Sequence, residues 1–98
     1  MKLFGLELEL HPVDMDSADA ALDIIHDAMT SDPAIYSVDL VLDDEAAYML
    51  AGVKVDDDSD MDDAVEFFRA AFEKAMIAAD ADHWGVQVAQ DAREMAFA

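Results

Sequence analysis

Apolar and polar residues alternate along residues 3–10, with Phe4, Leu6, Leu8 and Leu10 on one face and Gly5, Glu7 and Glu9 on the other. That period of two predicts a half-buried strand. His11-Pro12 ends it, because proline brings no amide hydrogen to a ladder and restricts the residue before it. The interval then lengthens. Ala18, Ala21, Leu22, Ile25 and Met29 recur at helical spacing opposite Asp19, Asp23, His26 and Asp27. This predicts an amphipathic helix with Asp16 or Ser17 as N-cap and Ser31-Asp32-Pro33 as its stop.

Alternation returns over residues 35–42, which predicts Tyr36, Val38, Leu40 and Leu42 inward and Ser37, Asp39 and Val41 outward. The short acidic link Asp43-Asp44-Glu45 joins this strand to a β-rich run over residues 46–55, so the two should pair as a hairpin with Met49, Ala51, Val53 and Val55 inward. A second helix is expected over residues 59–79, capped by Ser59 or Asp58. Its apolar stripe is Met61, Val65, Phe68, Phe72, Ala75, Met76 and Ala79, and its outer face carries Glu66, Arg69 and Glu73. Phe67, beside the stripe, is expected to pack at the edge of the core. Residues 84–89 read as a last strand. The tail, residues 90–98, either extends that strand through Met95 and Phe97 or forms a short helix.

The resulting order, βαββαβ, is the split βαβ arrangement of ferredoxin-like domains. The fold class expected is α+β, a four-stranded antiparallel sheet carrying both helices on one face, in one small domain over residues 1–98. Function does not follow from such an architecture, which hosts many.

Composition changes this picture in two ways. The 98 residues carry 24 carboxylates against 5 Lys and Arg, a formal charge of -19, yet 55% are hydrophobic and the mean hydropathy is +0.11. Disorder through low hydrophobicity is therefore excluded. Phosphate contacts need Lys and Arg, so direct binding of nucleic acid or anionic lipid is excluded as well. The absence of cysteine removes disulfides, thiolate metal sites and cysteine nucleophiles together. No apolar run reaches membrane-spanning length and the start is not a signal peptide, which predicts a cytoplasmic protein. Abundant Ala and Asp with no Asn suit a GC-rich genome, such as that of an actinobacterium or one of its phages.

Three groups of residues are candidates for a site. The run Asp56, Asp57, Asp58, Asp60, Asp62 and Asp63, together with Asp19, Asp23 and Asp27 on the first helix, forms an acidic surface for a basic partner. Read as a calcium loop, the run puts Met61 or Asp63 where the turn needs glycine and Phe67 or Arg69 where the loop needs a bidentate Glu. Helix capping and the helix dipole explain it better. The sheet face away from the helices should expose Leu3, Ile35, Val41, Tyr48 and Leu50, an apolar patch suited to a second copy or a partner. At one end of the sheet, loops should gather His11, Asp14, Asp82 and His83, a weak candidate for Zn, Ni or Mn.

Neither an activated nucleophile nor a glycine-rich phosphate loop is present, and exposed carboxylates are too many and too alike to single out an acid–base pair. The expectation is a non-enzymatic interaction domain without cofactor, whose acidic surface docks onto a basic protein, as a nucleic-acid mimic or inhibitor would. The alternative is a dimeric small-ligand- or metal-binding regulatory domain.

Overall fold

The computed structural model of the chain describes residues 2–95. Strand β1 (Lys2–His11) is followed by a 3-10 turn (Met15–Ser17), helix α1 (Ala18–Thr30), strands β2 (Ile35–Leu42) and β3 (Ala47–Val55), helix α2 (Met61–Ala78) and strand β4 (Gly85–Met95). The strands form one antiparallel sheet in the order β2-β3-β1-β4. This is the ferredoxin-like α+β fold, with the two helices on one face of the sheet. The tail resolves as strand as far as Met95; Phe97 lies outside the described residues.

Alternation builds the core as expected. Phe4, Leu6, Leu8 and Leu10 of β1 stand opposite Val53, Ala51, Met49 and Ala47 of β3 and point with them toward the helices. Onto this layer α1 lays Leu22, Ile25 and Met29, and α2 lays Ala64, Phe68, Ala71, Ala75 and Met76. Small residues on α2 let it sit close to the sheet, while Phe68 stacks on Phe72 one turn later, ring centroids 5.4 Å apart.

Four local expectations are corrected. Ile35 was assigned to the open sheet face and Tyr36 to the core, but a bulge between Ile35 and Ser37 reverses their sides: Ile35 joins the core and Tyr36 is 55% exposed. One inserted residue flips the parity of every position before it. Gly52 makes room for the bulged strand, since a Cβ there would meet Ser37 Oγ at 2.9 Å. Leu3, also assigned to the exposed face, stays on that face but is buried. Phe67 is about half exposed, at 47%, because the buried row of α2 runs through Ala64, Phe68 and Ala71 instead. The N-cap of α2 is Asp60, in place of Ser59 or Asp58. Its Oδ1 accepts from the Asp63 N–H at 3.1 Å while Asp63 Oδ2 accepts from the Asp60 N–H at 3.3 Å, a reciprocal capping box.

Among the described residues no helix is long and apolar enough to cross a membrane.

Candidate functional site

Two segments of irregular backbone build a recess of mixed lining, and each is shaped by local hydrogen bonding. The first is the 3-10 turn between β1 and α1. Asp14 caps it, accepting at Oδ1 from the Asp16 N–H at 3.0 Å, and Ser17 Oγ donates to the Asp14 carbonyl at 3.3 Å. Ser17 takes the expected N-cap position of α1 but makes no side-chain cap bond there, and the side-chain capping lies one turn earlier, at Asp14. The second segment ends α2. The Ala81 N–H bonds the Met76 carbonyl at 2.8 Å and the Asp80 N–H bonds that of Ile77 at 3.0 Å. This is the Schellman pattern, and it needs a left-handed residue, which here is Asp80 with φ 54. The reversal drives Ala81 fully into the core and brings Trp84 down to 8% exposure, its N–H bonded to the Ala81 carbonyl at 3.0 Å. Asp80, Asp82 and His83 are left facing solvent together.

Between these segments lies a cleft of about 390 Å³. Its apolar surface comes from Val13, Ala20, Ala21, Ile24, Ala79 and Trp84, and its polar groups are Asp14, Ser17, Asp80 and His83. Ser17, Ala20, Ala21 and Ile24 follow the i, i+3, i+4, i+7 row of a helix flank, so one side of α1 with its N-cap supplies four of the ten lining residues.

The residues expected as metal ligands do not all come together. Asp80, Asp82 and His83 each offer a donor atom, all within 4.8 Å of one another. Asp14 lines the cleft beside His83. His11 leaves this set, because β1 carries it to the open side of the sheet. There its Nε2 lies 3.7 Å from Glu9 Oε2, in a second recess of about 370 Å³ with Asp43, Asp44, Glu45 and Tyr48. In that recess Tyr48 Oη donates to Glu9 Oε1 at 3.4 Å. Its phenol is held above the ordinary value, first by the charge of Glu9, then by burial and by Asp43.

The acidic residues disperse. Asp60 and Asp63 cap α2, Asp62 lies in its first turn, and the Asp56 carbonyl accepts the Ser59 N–H at 2.9 Å. Asp57 and Asp58 are exposed beside them. Asp19 and Asp23 line a groove between α1 and β2, whereas Asp27 lies next to His26, Oδ1 to Nδ1 3.8 Å. Of the sheet-face residues, Val41, Tyr48 and Leu50 border a shallow apolar recess of about 210 Å³ with Ala89.

Sequence reasoning passed over Ser17, Ile24, Asp80 and Trp84 as a set. The helical row beginning at Ser17 was the available signal for half of it. The turn that swings Trp84 under the loop had none, because an Asp at the left-handed position hides the glycine that usually marks it.

No protein-family model matches the chain, and a search of curated proteins finds no match. Among solved structures, the chain is similar to Rv0793 from Mycobacterium tuberculosis, with a TM-score of 0.58 and 11% identity over 90% of this chain and 93% of that one. It is also similar to a "Putative antibiotic biosynthesis monooxygenase from Nitrosomonas europaea", with a TM-score of 0.50 and 13% identity over 95% and 86% of the two chains. At these identities the likeness is one of fold. Together with the dispersal of the acidic run into helix caps, it overturns the expectation of a non-enzymatic domain that docks by charge onto a basic protein. The same fold, at almost full length, carries a monooxygenase name in one neighbour.

Proposed function

We infer that the chain is a small-ligand-binding domain whose ligand is compact, largely apolar, and neutral or positively charged. The cleft between α1 and residues 79–84 is its seat. One observation carries this reading: an apolar lining that includes Ile24 and Trp84 converges with a few polar groups, Asp14, Ser17, Asp80 and His83, in a recess of about 390 Å³. That volume and that balance are those of small-molecule sites, which run from roughly 300 to 1,000 Å³. Carboxylates at its mouth oppose an anion. The name of the Nitrosomonas neighbour supports oxygen-dependent oxidation of a bound small molecule as the first activity to assay.

Trp84 is the single tryptophan, so its fluorescence reports the cleft alone. A neutral naphthoquinone should quench it saturably, with unchanged lifetime, and the effect should disappear in Ala20→Phe, which fills the cleft from an exposed position. Collisional quenching identical in both proteins would remove the cleft as the site. Oxygen uptake with a hydroxylated aromatic substrate, lost in the same variant, would make the site catalytic.

The grouping of Asp80, Asp82 and His83 supports a divalent cation at the rim of this cleft. Titration with Zn or Ni should then saturate one site that His83→Ala abolishes. Exposed Val41, Tyr48 and Leu50 support contact between two copies of a cytoplasmic protein through the open sheet face. Light scattering of Leu50→Glu should give half the wild-type mass, and a wild-type mass of one chain would remove this contact.

A further inference from the structure

The sheet has two edge strands, β2 and β4, and they are guarded differently. On β2, Asp39 sits mid-strand, a bulge lies between Ile35 and Ser37, and Ile35 and Val38 are buried. Charge and bulges are what keep an edge from pairing with another chain. The start of β4, residues 85–88, has neither. Every β4 residue whose burial is described, 85–89 with Arg93 and Glu94, is exposed. Val86 and Val88, which the register with Leu10 and Leu8 puts on the helix side, are 45% and 56% exposed. Beside Val86, Phe72, Met76 and Ile77 of α2 border a shallow recess of about 210 Å³, with Glu73 and Asp82 as its polar groups.

Charge decides what fits this edge. The chain has two stretches of eight residues free of Asp, Glu, Lys and Arg, 46–53 and 83–90. The first falls on β3, which is paired on both sides; the second contains the open edge. A strip without carboxylates is where a body of the same charge, -19, can approach at short range. We propose that β4 pairs antiparallel, edge to edge, with β4 of a second copy about a two-fold axis. The pairing continues the ladder over 85–88 and joins Val86 and Val88 of both copies into one apolar strip on the helix side, flanked by Ile77. A bulge between Val88 and Gln90 limits the regular edge to four residues, about 14 Å at the usual strand rise. So short a contact falls below the ~1,200 to 2,000 Å² of stable interfaces, and the pair is weak and reversible. It is lateral, and depends neither on the open sheet face nor on the Trp84 cleft.

Sedimentation equilibrium of the full chain tests this, run on Leu50→Glu so that a contact through the open face is blocked. Leu50→Glu should still pass reversibly from one chain to two as concentration rises. Raising NaCl from about 0.02 M to about 0.2 M should strengthen the pairing at least about threefold, because screening lowers the repulsion between like-charged copies. Adding Val88→Lys at its exposed position should weaken the pairing at least about tenfold even though the lysine lowers the net charge, since like charges brought together across an edge repel. Adding Val41→Lys, the same exchange at an exposed position on the open face, should not weaken it. Leu50→Glu remaining one chain at every concentration would overturn the proposal and leave the open-face contact standing. Equal effects of the two lysines, or pairing that weakens with salt, would overturn it as well.

Discussion

Helix α1 has two flanks with the same spacing and opposite character. Ser17, Ala20, Ala21 and Ile24 look toward the loop after α2; Asp19, Leu22, Asp23 and His26 look toward β2. On the first flank small side chains leave a hollow that Trp84 backs, and polarity arrives from the loop. On the second, polarity rises from the helix itself and the strand supplies the apolar surface. One helix thus serves two recesses because its two flanks lie on either side of the fully buried Ile25 and Met29. The difference lies in what faces each row, a tryptophan on a reversed turn or an edge strand, and it makes the tryptophan side the one where apolar and polar groups converge.

The largest effect that would break this comparison is removal of Trp84. Trp84→Ala should cost about 3 to 5 kcal/mol, since a large buried ring leaves a cavity the loop fills only in part. Urea unfolding measures the loss. In the fraction that stays folded, naphthoquinone binding, followed by amide shifts, should vanish.

How much of this was legible in the sequence depends on the kind of signal. Strand and helix order followed from periodicity, because period two and period 3.6 are forced by where side chains point. The bulge at Tyr36 was not legible. A single inserted residue leaves local alternation intact on both sides, and the close approach of Ser37 to Gly52 that accommodates it exists only once the strands pair. Asp14, Asp82 and His83 were singled out as loop residues at one end of the sheet. That His11 parts from His83 could not be read, since β1 runs one residue further than its alternation and carries His11 alongside Gly85 on β4. Charge misled most: the acidic run looked like a docking surface, and half of it caps and opens a helix.

That last point gives the next effect in size. Asp60→Ala removes the side-chain arm of the capping box, leaving Asp63 Oδ2 on the residue-60 N–H, and should destabilise the chain by about 1 kcal/mol. Asp58→Ala, an exposed neighbour of equal charge, should stay within roughly 0.5 kcal/mol of wild type. Thermal unfolding of the pair separates capping from charge, and neither variant should alter a ligand in the Trp84 cleft. Equal destabilisation by the two would show that the run acts only through its field.

Asp80→Gly should act in the opposite direction. At φ 54 an Asp is tolerated, but glycine carries no Cβ penalty there, so the variant should gain about 0.5 kcal/mol in urea unfolding. The gain comes with loss of a polar group from the Trp84 cleft and leaves the β2 groove untouched. Stabilisation together with weaker metal or ligand binding on the loop side would mark Asp80 as a residue kept for binding at the expense of the turn. A variant no more stable than wild type would mean that the Asp already fits the turn without strain.

The smallest effect lies on the open side of the sheet, away from both flanks, where Tyr48 reads the acidic field directly. The charge of Glu9 is the first cause of its raised phenol pKa, with burial, Asp43, the Glu9 hydrogen bond and Glu45 adding to it. Because the folded value lies above the unfolded one, near ~10, the neutral phenol favours the native state. That contribution is fully present below the unfolded value and is lost as pH rises through the folded one. Phenolate absorbance, with Tyr48→Phe subtracted to remove Tyr36, should place the Tyr48 midpoint above the ordinary phenol value. Glu9→Gln should bring it down, and added salt should do so in part, since exposed charges are screened. If salt moves the midpoint as far as Glu9→Gln does, the cause is the diffuse charge of the whole surface. If Glu9→Gln moves it further, the neighbouring carboxylate dominates, and local contacts rather than net charge set the electrostatics of this recess.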